Sequence, residues 1–365
     1  MNRLVLIGNG FDLAHGLRTS YADFIKWYWA ERVKKLSKED TNISSDPMCT
    51  ISAPDGFIWA EIVANRNEFN YQYTSADEII KRLRNNNLGF RITSTSFLDN
   101  ICESIENKGW VDIEIEYYEL LKKYAYPSDG SLSKESSIRS LNRLMDNLKK
   151  LLCLYLGEVY KKHKPELNPS IQNAIYLPIR TTDFPSAVQE KIKGHVNLLQ
   201  LPTKIMLLNF NYTDTPVLYF KEGITTINYI HGTIEKPESI IFGYEDEMDD
   251  KFKELKNHKN NACLKNIKSL RYLVSPNYGN LSAFMDSEPF QVFIMGHSCG
   301  YSDRTLLNMI FEHKNCVSIK PYYYQKSKDS DDFNEKIMNI GRAFNDKKHM
   351  LDKIVDKTRC EPLGS

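Results

Sequence analysis

The spacing of hydrophobic positions along the chain changes twice. Residues 4–7 are four apolar residues in a row, a pattern typical of a parallel strand buried on both faces. From residue 204 onward, short apolar runs ended by Gly, Asn or Pro return, with helical stretches at 215–221 and 303–313 between several of them. Strands that alternate with helices indicate a parallel sheet. The predicted strands are residues 205–208, 226–230, 240–242, 292–295 and 317–319.

The middle of the chain has the spacing of amphipathic helices. Apolar side chains recur at intervals of three and four within residues 141–160, and residues 110–124 have a similar pattern. Polar stretches at 37–56 and 126–137 predict loops. The predicted fold class is therefore α/β, a Rossmann-like parallel sheet interrupted by a large, mainly helical insertion. The predicted domains are a sheet domain of residues 1–24 and 203–325, an insertion of residues 25–202 and a C-terminal helical extension of residues 326–365.

Composition narrows the classes of protein and partner. The 48 Lys and Arg residues nearly balance the 47 Asp and Glu residues, so no global charge favours nucleic acid or membranes. Seven cysteines without a CxxC pair are typical of a reduced, intracellular protein without a structural zinc ribbon. No apolar run approaches the roughly 20 residues that span a bilayer, and Gly8 and Asn9 interrupt the first apolar run. We expect a soluble, cytoplasmic protein.

Polar residues follow the predicted strands, at the edge where open parallel sheets bind ligands. Glycines there allow close approach of a phosphate, and a helix N-terminus attracts it. The third glycine of a dinucleotide fingerprint, expected at position 13, is Leu13, so spacing alone is equally compatible with a plain turn. The residues at these strand ends are Gly8, Asn9, Gly10, Asp12, Asn209, Asn211, Asp214, His231, Gly232, Gly243, Gly296, His297 and Ser298.

Four segments occur in an order that is similar to a known family. They are GNGFDLAHGLRTSYADF, NFNYTDT, IHGT and GHSCGYSD. On these segments the chain is identified as a member of the AbiH family of bacterial phage abortive-infection proteins. The resemblance implies a role in defence against phage, with a phage-derived trigger as a partner.

A more distant resemblance, to sirtuin-like NAD-binding domains, implies a mechanism. It rests on Gly8, Gly10 and Gly16 in the first segment, Asn211 in the second, His231 and Gly232 in the third, and Gly296 and Ser298 in the fourth. It implies that NAD, or a related nucleotide, is bound and hydrolysed, with no resident cofactor and no metal. Asp12 stands where those domains usually have Ser, and the cysteine quartet of deacetylases is missing, which argues against protein deacylation.

The resemblance also implies roles for individual residues. His231, with an ordinary pKa of about 6.5, is the expected general base. Asn211 is expected to orient a water or a ribose hydroxyl, and Asp12 or Asp214 to stabilise positive charge at the reacting carbon. Arg18 is either a phosphate ligand or a surface arginine. The expected nucleotide-binding residues are Gly8, Asn9, Gly10, Gly16, Arg18, Asn209, Asp214, Gly232, Gly296, His297, Ser298 and Asp303.

Three other functions remain open from the sequence. The pocket can serve as a noncatalytic nucleotide sensor. The GHSCG segment has the GxSxG pattern of a serine hydrolase, with Ser298 as nucleophile and His313 or His349 completing a triad. A nuclease would use the acidic segment that begins at Trp110 and contains Asp112, Glu114 and Glu116, although this pattern is more typical of a solvated helix face. The sequence is also compatible with a homo-oligomer.

Overall fold

The computed structural model describes residues 1–38, 43–53, 90–127, 134–186, 200–246 and 249–364. The chain divides into two compact units. The first contains Met1–Arg18, Glu158–Phe252 and Ile267–Ser365, and the second contains Thr19–Gly157 and Lys253–Asn266. The predicted division at residues 24, 203 and 325 stays a prediction.

Strands and helices alternate along much of the described chain. The strands are β1 (Asn2–Ile7), β2 (Ile43–Ser45), β3 (Cys49–Ser52), β4 (Arg91–Ser94), β5 (Ile205–Asn209), β6 (Thr225–Tyr229), β7 (Phe290–Met295), β8 (Cys316–Tyr322), β9 (Gln325–Ser327) and β10 (Ser330–Asp331). The α-helices are Asn9–Ala14, Tyr21–Lys38, Ser96–Lys108, Ile113–Ala125, Glu135–Lys162, Pro169–Tyr176, Asp250–Lys256, Lys268–Tyr272, Asn277–Ser287, Arg304–Phe311, Phe333–Arg342 and Lys347–Lys353. Among these helices, none is both long and apolar enough to cross a lipid bilayer.

A five-stranded parallel sheet forms the centre of the first unit. Its strand order is β6-β5-β1-β7-β8, which is 3-2-1-4-5 when its strands are counted along the chain. Rossmann sheets have the same order in their first five strands. Successive strands lie first on one side of β1 and then on the other, so the order reverses between β1 and β7. The prediction of an α/β protein with a parallel sheet is confirmed.

Both faces of this sheet are buried, which explains the unbroken apolar runs of its strands. Leu4 and Leu6 of β1 pack on one face together with side chains from the helices Asn277–Ser287, Arg304–Phe311 and Phe333–Arg342. Val5 and Ile7 pack on the other face together with side chains from the helix Pro169–Tyr176. Alternate residues of one strand therefore enter opposite cores.

Two segments outside the predicted sheet domain pack against this sheet. In the first, the guanidinium of the buried Arg3 donates to the carbonyls of Ile175 at 2.7 Å and Leu177 at 2.8 Å, at the end of the helix Pro169–Tyr176. A cation suits these carbonyls because a helix leaves its last carbonyls unpaired. In the second, Ile340 and Phe344 from the predicted C-terminal extension lie in the core that contains Leu4 and Leu6.

The second unit contains an antiparallel sheet, in the order β2-β3-β4, as well as helices. The loop predicted at 37–56 is therefore wrong where β2 and β3 form. In β3 the side chains of Cys49 and Ile51 are buried and those of Thr50 and Ser52 are half-buried. This two-residue alternation is short and rich in Ser and Thr, so it resembles a polar loop in sequence.

One predicted strand of the first unit is also wrong. Residues 240–242 form no strand, although Ile240, Ile241 and Phe242 are all buried. A 3₁₀ turn at Pro237–Ser239 precedes them, and the amide of Ile241 donates to the carbonyl of His231 at 2.9 Å. Burial in the core, and not strand pairing, is the reason for this apolar run.

Candidate functional site

The glycines after β1 allow two chain segments to pack backbone against backbone. Gly8 precedes the helix Asn9–Ala14, and the amide of Gly10 donates to the carbonyl of Gly296 at 2.8 Å. A Cβ atom on Gly10 would lie 2.9 Å from the Cα of Gly296, and one on Gly8 would lie 2.6 Å from the Cα of His297. The segment after β1 is thus held against the segment after β7, at the point where the strand order reverses.

Gly16 has a different role from Gly8 and Gly10. Its φ is +76°, its amide donates to the carbonyl of Leu13 at 3.0 Å, and the amide of Leu17 donates to the carbonyl of Asp12 at 3.1 Å. These bonds end the helix Asn9–Ala14, and the left-handed backbone favours glycine there. The end of this helix is therefore sufficient to explain glycine at position 16.

Asp12 is the centre of a buried polar group that we name the Asp12 cluster, which consists of Asp12, Asn209, Asn211, Thr213 and Thr215. The hydroxyl of Thr213 donates to Asp12 Oδ2 at 2.6 Å. The side-chain amide of Asn209 donates to the carbonyl of Thr213 at 2.9 Å, and that of Asn211 donates to the carbonyl of Gly8 at 2.9 Å. Residues after β1 and β5 are therefore connected directly, as predicted for neighbouring parallel strands.

Asp12 has an environment that favours its protonated form. Its side chain is fully buried, and Oδ1 accepts no hydrogen bond from the part of the chain that the structure describes. Burial raises the pKa of Asp12 from 3.8 to about 6, although the hydroxyls of Thr213 and Thr215 and the amide of Asn211 oppose this rise. A carboxyl with a pKa near neutrality can accept a proton at physiological pH.

A second buried group, which we name the His231 cluster, consists of His231, Glu245, Lys268, Tyr272, His297 and Asp303. Asp303 is central: its Oδ1 lies 2.7 Å from Lys268 Nζ and 3.4 Å from His231 Nε2, and its Oδ2 lies 3.5 Å from His297 Nε2. Lys268 also donates to the carbonyl of Ser302 at 2.8 Å. The chain thus brings together the predicted residues His231, His297 and Asp303.

Three members of the His231 cluster were missed in the sequence. Glu245 follows the apolar run at 240–242, and Lys268 and Tyr272 lie four residues apart in a short helix, so both point to the same side. The amide of Lys268 donates to the carbonyl of Tyr244 at 2.8 Å, which places Glu245 close to Lys268. The only signal in the sequence was the polar turn after residues 240–242.

The charges of the His231 cluster follow from its burial. Burial would raise the pKa of Asp303, but Lys268 and the two imidazoles outweigh it and hold the pKa well below its usual range. Burial and the Lys268 ammonium lower the pKa of His231 to about 3. Burial raises the pKa of Glu245 to about 8. At neutral pH, Asp303 is therefore an anion, His231 is neutral and Glu245 holds its proton.

The expectation that His231 has an ordinary pKa is therefore wrong. Nε2 of the imidazole faces Tyr272 and Asp303, and the side chain is 5% exposed. A buried imidazole between these partners is a weak base at neutral pH. The assignment of His231 as the general base is a prediction that this environment disfavours.

The two clusters are connected through Phe210 and Gly8. The ring of Phe210 lies 5.1 Å from that of His231 and 4.2 Å from that of His297, measured between centroids. Phe210 is also the chain neighbour of Asn209 and Asn211. Gly8 contacts His297 with its backbone and Asn211 with its carbonyl.

The remaining predicted residues differ in exposure and in their contacts. Asn9, Arg18 and Ser298 are exposed. Asp214 accepts from the hydroxyl of Tyr229 at 2.6 Å. Gly232 has a φ of +81°, and a Cβ atom there would lie 2.3 Å from the carbonyl oxygen of Ser239, so glycine is required by the turn itself.

Among the described residues, no hydrogen bond joins Ser298 to either histidine of the serine-hydrolase alternative. Nε2 of His313 pairs with Asp286 at 3.4 Å, and His349 is exposed and lies 4.0 Å from Asp346. The left-handed residue of the GHSCG segment is Cys299, with a φ of +54°, and not Ser298. The segment therefore does not have the geometry of a nucleophile elbow.

The acidic segment of the second unit has structural roles. Asp112 precedes the helix Ile113–Ala125 and accepts from the amides of Glu114 and Ile115, so it caps the helix and does not lie on its face. Glu116 accepts from the hydroxyl of Ser104, and Trp110 is 56% exposed. Among the described residues, no three His, Cys, Asp or Glu side chains are arranged to hold a metal ion.

A parallel sheet covered on both faces, with buried titratable side chains near its carboxyl edge, defines a doubly wound α/β protein. A family model described as "Bacteriophage abortive infection AbiH" matches residues 4–325. The chain belongs to the AbiH family, and this membership indicates a role in phage abortive infection. No curated protein and no solved structure matches the chain.

Proposed function

We propose that this AbiH-family protein binds NAD or a related nucleotide at the carboxyl edge of its Rossmann-like sheet and hydrolyses it. The observation that carries the proposal is the position of Asp12, Asn211 and His297 beside the reversal of strand order between β1 and β7. Ligands of open parallel sheets bind at such points. Perturbed pKa values, as at Asp12, are common at functional sites.

The chemistry of hydrolysis assigns Asp12 as the base. The bond between ribose C1′ and the nicotinamide nitrogen breaks, and its electron pair leaves with nicotinamide. Water attacks the cationic C1′, and its proton passes to the ionised Asp12 carboxylate, whose Oδ1 accepts no hydrogen bond from the described residues. The products are nicotinamide, ADP-ribose and one proton. With a pKa of about 6, Asp12 suits this role better than His231, whose pKa is about 3.

The burial of Asp12 and His231 favours a second candidate function. Asp12 is 0% and His231 is 4% exposed, so a nucleotide reaches either group only if their surroundings move. A site of this kind suits a sensor that changes conformation when it binds a nucleotide, without turnover. In both cases we propose a sirtuin-like ligand site, a phage-derived trigger and action in the cytoplasm.

Release of nicotinamide by the purified full-length protein tests the proposal. The protein is incubated with NAD, with and without a lysate of phage-infected cells, and nicotinamide is measured by chromatography. We expect release that increases with pH through about 6, as Asp12 loses its proton. Asp12→Asn should lower the rate by about 100-fold or more, because general bases contribute that much.

A matched substitution controls for nonspecific effects. Asp286→Asn makes the same chemical change at a side chain that is 59% exposed, and it should leave the rate unchanged. Absence of release under every condition, or an unchanged rate in Asp12→Asn, contradicts hydrolysis at this site. NAD binding measured by calorimetry, without release, supports the sensor.

A further inference from the structure

The hydroxyl of Tyr272 lies between two proton-binding groups in the His231 cluster. Its oxygen is 3.2 Å from His231 Nε2 and 3.2 Å from Glu245 Oε1. All three residues are buried, with whole-residue exposures of 5% for Tyr272, 4% for His231 and 0% for Glu245. These groups are shielded from bulk solvent, and buried polar groups of this kind are hydrogen-bonded.

Counting protons shows what these contacts require. In a neutral His231 that carries its ring proton on Nδ1, Nε2 is an acceptor and faces the hydroxyl of Tyr272 at 3.2 Å. Tyr272 has one hydroxyl proton for two neighbouring acceptors, Nε2 and Oε1. One further proton, on Glu245 or on Nε2, completes both hydrogen bonds.

The charges around the three groups act on both positions of this proton. Glu245 faces the Lys268 ammonium, which favours its ionised form, and the anions Asp303 and Asp246, which favour its protonated form. His231 faces Asp303, which favours an imidazolium, and Lys268 and His297, which oppose it. A buried carboxyl with Oε2 unbonded to any described residue is more stable with its proton.

We propose that Glu245, Tyr272 and His231 hold one shared proton and form a relay, in which Tyr272 passes the proton between the Glu245 carboxyl and His231 Nε2. In one state Glu245 donates to Tyr272, which donates to a neutral His231. In the other state an imidazolium donates to Tyr272, which donates to an ionised Glu245. One proton leaves the carboxyl as another reaches Nε2, and no electron is transferred.

The use of the relay rests on the proposed function. A nucleotide pyrophosphate at the carboxyl edge is an anion, and it favours the state in which His231 is positive. Glu245 and Tyr272 then act as positioning residues, because they set the charge of His231 without contact with the ligand. The negative charge left on Glu245 stays beside Lys268, whose ammonium partly neutralises it.

The relay is tested on the native protein without any nucleotide. The infrared band of a protonated carboxyl, assigned by its loss in Glu245→Gln, should be present at pH 6.5 and disappear with a midpoint of about 8. In protein with ¹⁵N-labelled histidine, the His231 Nε2 resonance, assigned by its loss in His231→Gln, should change with the same midpoint. Coupled groups titrate together.

Two conservative variants separate the relay from a structural role. Tyr272→Phe keeps the ring and removes the bridge, so the His231 resonance should no longer follow Glu245, whose pKa should rise because a hydrogen-bond donor is lost. Tyr278→Phe is the matched control: its ring stacks on Tyr272 at 6.3 Å, but its hydroxyl contacts Met309 Sδ, so coupling should persist.

The outcomes separate the relay from the proposed function. A native His231 resonance that is constant between pH 6 and 9, or one that still follows Glu245 in Tyr272→Phe, overturns the relay. The absence of a carboxyl band that depends on Glu245 also overturns it. The native titration decides even where a variant fails to fold. Coupled titration without nicotinamide release supports the relay and contradicts hydrolysis of NAD.

Discussion

Replacing Asp12 with asparagine should change the pH dependence of stability in a calculable way. Burial raises the pKa of Asp12 to about 6 in the folded protein, from 3.8 when it is exposed. The group therefore contributes stability that is fully present below pH 3.8 and is lost as the pH rises through 6. The full difference is about 3 kcal/mol, since one pKa unit corresponds to roughly 1.4 kcal/mol.

Only part of this free-energy difference falls between pH 5 and pH 7.5, where it can be measured on folded protein. Between pH 5 and pH 7.5, ionisation of Asp12 should lower the free energy of unfolding of the native protein by about 1.4 kcal/mol. Asparagine has no charge to lose and can still accept a hydrogen bond from Thr213. The stability of Asp12→Asn relative to the native protein should therefore increase by about 1.4 kcal/mol over this range.

Urea denaturation at the two pH values measures this change directly. Comparing native and variant protein at each pH cancels the titration of all other groups, provided that the denatured states are similar. The exposed control Asp286→Asn should show no such dependence on pH. A constant difference between native protein and Asp12→Asn, or one that decreases as the pH rises, refutes both the raised pKa and the assignment of Asp12 as the base.

Two further predictions concern packing and charge. Gly296→Ala should destabilise the fold by more than about 3 kcal/mol in urea denaturation, because a Cβ atom there would lie 2.0 Å from a backbone nitrogen. Gly16 has the same φ of +76°, but no atom lies within 4 Å of its Cβ position. Gly16→Ala should therefore cost only about 1 kcal/mol. A similar loss in both variants would contradict the close backbone contact. Lys268→Met leaves Asp303 buried without its ammonium and should lower the free energy of unfolding by about 3–5 kcal/mol. Lys265→Met removes an ammonium from a side chain that is 46% exposed, so it should lower the free energy of unfolding by less than about 1 kcal/mol. Equal losses would show that Lys268 does not stabilise Asp303.

The central sheet could be predicted from the sequence because burial on both faces leaves a simple pattern. Four of the five later strand predictions correspond to β5, β6, β7 and β8. Residues 240–242 are equally apolar but lack a strand partner. An apolar run predicts burial, but it does not predict whether the segment pairs with a strand. The alternation in β3 was too short, and too rich in Ser and Thr, to separate it from a loop.

The candidate site was predictable only in part. Asn211, His231 and His297 were found because they follow strands, and parallel strands bring such residues together. Asp303 was found through the resemblance. Glu245, Lys268 and Tyr272 come from a turn and a five-residue helix, so neither position in the sheet nor periodicity marks them. The low pKa of His231 could not be anticipated, because it follows from burial and from the nearby Lys268 ammonium. Titration depends on neighbours in space, and those neighbours are distant in sequence.

The contact between Gly10 and Gly296 has a mechanical consequence. The amide of Gly10 donates to the carbonyl of Gly296, and the chain continues within two residues to Asp12 on one side and within one residue to His297 on the other. A ligand that displaces either segment must break this bond or move both segments together. The Asp12 and His231 clusters are therefore coupled through backbone as well as through the ring of Phe210, and substitution of side chains in either cluster leaves the backbone connection in place.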